Sequence, residues 1–127
     1  EGASDREAIL EYAPAAAKQA AAASAHHTAA DLYKLALRFA DDLPSAERAE
    51  LWDAYARERQ PLEPQKEAIS ARRTAAGLWR AANNPQRQGE SVAYAVLALN
   101  EIGARAECEQ AIEEVLSLLE PLPPVRC

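Results

Sequence analysis

Apolar residues recur at every third or fourth position through almost the whole chain, and no window shows sustained alternation. That is the helical period, so an all-α fold is expected. Breakers divide the pattern into six segments. The first opens at "SDRE", where Ser4 and Glu7 have capping-box spacing, and runs through "AILEYAPAAAKQAAAAS". Pro14 inside it removes a backbone donor and crowds the preceding turn, so a kink or a fresh helix start is expected near Ala13. The second is "HTAADLYKLALRFADDLP", residues 27–44, a helix and its stop. Ser45 is placed to cap the third, "AERAELWDAYARER". "QPLEP" separates it from the fourth, "QKEAISARRTAAGLWRAA", which stops at the turn signal "NNP". The fifth, "QRQGESVAYAVLALNEI", ends at Gly103, a fit for a C-terminal cap. The sixth, "AECEQAIEEVLSLLE", runs into "PLPP".

Short connections make consecutive helices antiparallel neighbours. Three helix hairpins follow, over about residues 5–42, 45–83 and 86–120, with a tail at 121–127. The second segment carries apolar residues on more than one face, so it needs more than one neighbour. A repeat explains why. Ala29, Tyr33, Ala36 and Phe39 have the spacing of Ala68, Arg72, Ala75 and Leu78, and of Cys108, Ile112, Val115 and Leu118, at offsets of 39 and 40. In the first helices of the hairpins, Trp52, Tyr55 and Ala56 fall on the W-x-x-L-G/A positions of a tetratricopeptide repeat. Ala13, Ala16 and Ala17, and Val92, Ala95 and Val96, are their equivalents. The period exceeds the 34 of a minimal tetratricopeptide repeat but suits longer hairpins. A single domain is expected, a right-handed α-α superhelix of three tetratricopeptide-like hairpins.

Composition sharpens this picture. Alanine is about a quarter of the 127 residues, with 4 Gly and few β-branched side chains, which favours helices that approach closely. A net charge of −6 argues against nucleic-acid binding by this segment, which would need a basic face. No apolar run is long enough to span a bilayer, and the N-terminus does not read as a signal peptide. The lack of an initiator Met suggests a fragment of a longer protein. With only Cys108 and Cys127, a disulfide framework is not expected and a reducing cytoplasm is the simpler setting.

One stretch resembles a known family. "EYAPAAAKQAAAASAHHTAADLYKLALRFADDLPSAERAELWDAYA" is similar to the helical-repeat region of large LuxR-type bacterial transcriptional regulators. Those proteins join a P-loop ATPase module, a tetratricopeptide-like region and a helix-turn-helix. Tyr12, Ala13 and Pro14 match the start of the family pattern. His26, Ala29, Ala30, Tyr33, Ala36, Leu37 and Arg38 match its second helix, and Leu43, Pro44, Glu47, Arg48, Ala49 and Leu51 match the link onward. "EAISARRTAAGLWRAANNPQRQGES" and "LSLLEPLPP" resemble later parts of it. Ser24 stands where the family usually has Gly. "RQPLEPQ" replaces an aromatic-containing turn, and "AYAVLALNE" lacks the tryptophan-rich fifth helix. The resemblance implies a scaffold without its own ATPase or DNA-binding activity, and the chain has no G-x-x-x-x-G-K-[ST] loop.

Candidate chemistry is sparse. His26 and His27 point about 100° apart on a helix and lack the convergent partners of a metal site. His26 is expected to fill a bulky position before the second helix and His27 to be solvated. Asp31, Asp41 and Asp42 do not have calcium-loop spacing and read as a solvated acidic end. Arg72, Arg73 and Arg80 near Trp79 are too few to bind nucleic acid on an acidic chain; pairs with Glu67 or other acids are expected. Trp52 is expected in the core, with Trp79 at a rim or subunit contact. Cys108 aligns with Ala29 and Ala68 and reads as a buried structural thiol. No nucleophile–base arrangement has credible context, so no enzyme activity and no metal or cofactor are expected.

Repeat arrays present a groove lined by the first helix of each hairpin. Mapping tetratricopeptide groove positions onto this register gives Lys18, Glu50, Asp53, Arg57, Glu90 and Asn100. Such an acidic groove would suit a peptide or a basic partner segment, including another domain of a parent regulator. Two alternatives stand beside it: an inducer-sensing pocket formed by Trp and Tyr residues, and a structural spacer that forms homo-oligomers through an apolar end.

Overall fold

The structure is a computed structural model that describes residues 2–118, with side chains from Asp5 onward. Its six helices are α1 (Gly2–Ala22), α2 (His26–Leu37), α3 (Ser45–Arg59), α4 (Lys66–Ala81), α5 (Pro85–Glu101) and α6 (Arg105–Leu118). No strand occurs among the described residues. Each helix packs chiefly on the one before and the one after it, the contact pattern of stacked helix hairpins. None of the described helices is long and apolar enough to cross a membrane.

The repeat positions coincide with the core. Ala29, Ala68 and Cys108 are fully buried, as are Ala36 and Ala75, with Val115 nearly so. On the first helices Ala17, Ala56 and Val96 form the equivalent row. Alanine here lets helix axes approach at the short end of the usual range, roughly 8 Å. Larger residues fill the spaces between crossings. Tyr33, Tyr55 and partly buried Leu51 and Trp52 pack around the first two hairpins, and Val92, Val96, Leu99 and Val115 around the last.

Three helix ends share one closure. Ser24, Asn83 and Gly103 adopt left-handed φ of 59°, 58° and 74°. In each case the next amide bonds a carbonyl five residues back: Ala25 to Ala20 at 2.8 Å, Asn84 to Trp79 at 2.9 Å and Ala104 to Leu99 at 3.0 Å. This satisfies carbonyls that a helix end leaves open. Gly103 is the cap expected from the sequence, and at "NNP" the Asn84 side chain caps α5 by accepting from Arg87 N at 3.0 Å.

Other local expectations are corrected. Helix α1 is already formed at Gly2, so Ser4 does not begin it, and it continues through Pro14 without a fresh start. The half-buried proline ring lines an open cleft. Helix α2 ends at Leu37, earlier than its apolar run suggests; Phe39 N then bonds Ala36 O at 3.0 Å in a tighter turn. Pro44 precedes α3 in place of Ser45, which is its first helical residue. Proline's fixed φ (here −56°) sets the extended entry, and its carbonyl accepts from Arg48 N at 3.0 Å.

Cys108 is fully buried as its alignment implied, but it is disulfide-bonded and not a free thiol. A chain with only two cysteines shows no framework spacing from which a bridge could be read. Cys127, the tail 121–127 and the end of the third hairpin beyond Leu118 lie outside the described residues.

A non-glycine residue in the left-handed region is strained by roughly 1–2 kcal/mol. Ser24→Gly should therefore raise unfolding stability by about 1 kcal/mol in urea titration. An unchanged or lower midpoint would show that the Ser24 turn carries no such strain.

Candidate functional site

The first helices of the hairpins do form a concave side. There α1, α3 and α5 wall a cleft of about 430 Å³. Five of the six residues expected to line a groove line this cleft: Lys18, Glu50, Asp53, Arg57 and Glu90. Asn100 does not. It is exposed near the end of α5, about 9 Å of helix beyond Tyr94, the last α5 residue of the cleft. The floor comes from buried residues of the second helices, Tyr33 on α2 and Arg72 on α4.

Asp53 is not a groove charge waiting for a partner. Only 8% exposed, it sits on α3 and is held by donors from two other helices, α4 and α5. Arg72 Nη1 donates to its Oδ1 at 2.9 Å and Trp79 Nε1 to its Oδ2 at 2.8 Å. Ser91 Oγ lies 2.8 and 2.9 Å from the two oxygens, sharing one proton between them. Arg87 Nη2 stands at 3.9 Å. An ionised carboxylate is an acceptor only, with about four lone-pair positions, and these donors occupy them from both sides.

Arg87 ties the outer wall together. Its two terminal nitrogens donate to the two oxygens of Glu50, each at 3.1 Å, and its Nε lies 3.5 Å from Glu90. The Arg87 guanidinium also covers the Trp79 ring at 4.3 Å, as Arg72 covers Tyr94 at 4.2 Å. Hydrogen bonding to Glu50 raises the Arg87 pKa above its ordinary value, against a smaller opposing effect of burial. Trp79 is therefore a core residue, 3% exposed, and not the rim contact expected. Trp52 is the more open of the two. It meets Tyr55 edge to face at 6.1 Å and, with Lys34, Leu37 and Arg38, lines a separate niche of about 260 Å³.

A second buried acid lies nearby. Glu58, 4% exposed, accepts from His26 Nδ1 at 2.8 Å and from Arg57 Nε at 3.3 Å. His26 thus pins the start of α2 to α3, while His27 is exposed. Asp42 pairs with Arg6 at the surface. Arg73 reaches Glu114 at 2.7 Å, and Glu67 is taken by Arg59 at 3.3 Å and by the Tyr55 hydroxyl, which donates at 3.3 Å. Tyr33, also in the cleft, has a buried hydroxyl that meets no protein atom in hydrogen-bond geometry, although Arg57 is near enough to act on it. Burial is the main cause that raises the Tyr33 and Tyr55 pKa values above 10.0.

Arg87, Ser91 and Tyr94 were not expected in the site. Their spacing of 0, 4 and 7 places them on one face of α5, a polar stripe on an alanine-rich helix, and that signal was present in the sequence. Arg72 and Tyr33 aligned with repeat core positions, which hid their polar ends. Among the described residues no group of three or more His, Cys, Asp or Glu could hold a metal ion. No protein-family model, no curated protein and no solved structure matches the chain.

Asp53→Asn should lower stability by about 3–5 kcal/mol, because Arg72 is left buried without its counter-charge. Glu50→Ala, at an exposed pair, should cost less than about 1 kcal/mol. Equal losses in chemical denaturation would contradict the buried network. Both tyrosines have raised folded pKa values, so their contribution is complete below pH 10.0. As pH rises past that value the unfolded chain ionises first and stability should fall; a flat stability profile up to pH 11 would count against it.

Proposed function

We propose that this chain is a non-catalytic interaction and signal-relay module, part of a LuxR-type bacterial transcriptional regulator, whose cleft receives a protein segment. One observation carries the reading. Residues chosen for their repeat register alone converge on one concave surface formed by successive first helices. An open cleft walled by three successive first helices suits an extended segment more than a compact substrate. The exposed half of Tyr94, fixed from beneath by Arg72, offers the segment an aromatic contact with little freedom to lose. The similarity of "YAPAAAKQAAAAS" and of the α2–α3 link to the regulator family supports the assignment to a parent protein.

A second reading is an inducer pocket. It draws on the niche of Trp52 and Tyr55 flanked by Lys34 and Arg38. At about 260 Å³ that niche lies below the common range for small-molecule sites, whereas the cleft lies within it.

Linear peptides selected from a random display library should shift the backbone resonances of Glu90 and Tyr94 in the 127-residue chain. Tyr94→Ala should weaken them at least fivefold, on the order of 1 kcal/mol. Peptides that bind but leave those resonances and that variant unaffected would refute the cleft as the docking surface. A thermal-shift screen that finds small ligands acting through Trp52 would favour the second reading.

A further inference from the structure

The charges of the cleft do not match those of its sequence. Glu50 is engaged by both terminal nitrogens of Arg87, Glu90 lies beside the same guanidinium, and Asp53 is buried among its donors. The three carboxylates that made the groove look acidic are thus already engaged by two arginines, Arg72 from α4 and Arg87 from α5. What remains open lies on the other wall. Lys18 is exposed and has no ion pair among the described residues. The Arg57 side chain is 59% exposed and gives only its Nε to Glu58, at 3.3 Å, which leaves its terminal nitrogens available. In the same cleft Tyr33 is 1% exposed, and its buried hydroxyl, with Arg57 close by, has no acceptor for its proton. Such a group costs stability and calls for an explanation.

We propose that the wall of the cleft formed by α1, α2 and α3 is an oxyanion subsite, in which Lys18, Arg57 and the Tyr33 hydroxyl receive a carboxylate or phosphate carried by the docked segment. The proposal rests on the reading of the cleft as a segment-binding groove and specifies the segment's charge: acidic, not basic. Arg57 supplies a planar pair of donors suited to either oxyanion, and Lys18 a mobile point charge. The Tyr33 hydroxyl is shielded from water, and Lys18 and Arg57, exposed in the same cleft, are the side chains that would turn as the anion enters. A donor shut away from water forms a stronger bond to an anion than an exposed one does.

The test uses the 127-residue chain and peptides that share one apolar host sequence, with a central pair of Glu, of phosphoserine or of Lys, together with inorganic phosphate alone. Calorimetry and backbone resonances are read for each. The Glu or the phosphoserine peptide should bind with shifts at Lys18, Tyr33 and Arg57, and the tighter of the two identifies the oxyanion. The Lys peptide should bind at least tenfold more weakly, and phosphate should compete. Tyr33→Phe should leave thermal unfolding unchanged or raised, since it removes only an unsatisfied hydroxyl, yet lower affinity about tenfold. Lys18→Ala, at an exposed position, should weaken binding without touching the fold. Equal or tighter binding of the Lys peptide in the cleft overturns the subsite while the interaction module stands. Binding of none of the peptides in the cleft overturns both. Acidic binding that neither variant weakens overturns the subsite.

Discussion

The Asp53 carboxylate is the constraint on which the arrangement of α3, α4 and α5 depends. An alanine-lined helix interface is close but nearly featureless. It supplies packing and little that is directional, so neighbouring helices could slide or rotate at small cost. Asp53 removes that freedom. Its oxygens accept from Arg72 and Trp79 on α4 and from Ser91 on α5, all between 2.8 and 2.9 Å. A buried charge is expensive unless its acceptors are filled, so the native pairing is favoured over neighbouring registers that would leave it bare.

The cleft inherits its shape and its charge from the same contacts. The arginines that satisfy Asp53 and Glu50 also lie on the Tyr94 and Trp79 rings, which ties the cleft-lining Tyr94 and the core Trp79 into the same network. The opposite wall has no such closure. There Glu58 anchors His26 and part of Arg57, while Lys18 and the Tyr33 hydroxyl keep unspent donors. One wall therefore has its three carboxylates gathered around two arginines, and the other carries the exposed cations Lys18 and Arg57. That asymmetry sets the direction in which a docked segment would lie.

Much of the fold was legible in the sequence because it is written in small residues at a fixed period. Ala29, Ala68 and Cys108 recur at offsets of 39 and 40 and are all fully buried, Gly103 caps its helix as expected, and α4 stops at the "NNP" turn. What could not be read is where helical propensity and local chemistry compete with packing. Pro14 looked like a break, but it lines an open cleft and α1 passes through it. Asp53 looked like a solvated groove acid because its donors lie 19, 26 and 38 residues away. Five of the six positions read from register line the cleft, and Asn100 does not. Their charge did not follow from register, since Arg87 entered only through the three-dimensional pairing of α3 with α5.

Hydrogen exchange on the native chain and on Asp53→Asn tests the central role of Asp53 most directly. If that carboxylate couples three helices, the variant should lose protection together at the Trp79 indole N–H and across the amides of α3, α4 and α5, while the α1 amides packed on α2 change least. Loss confined to the residues around position 53, with α5 as protected as before, would contradict it.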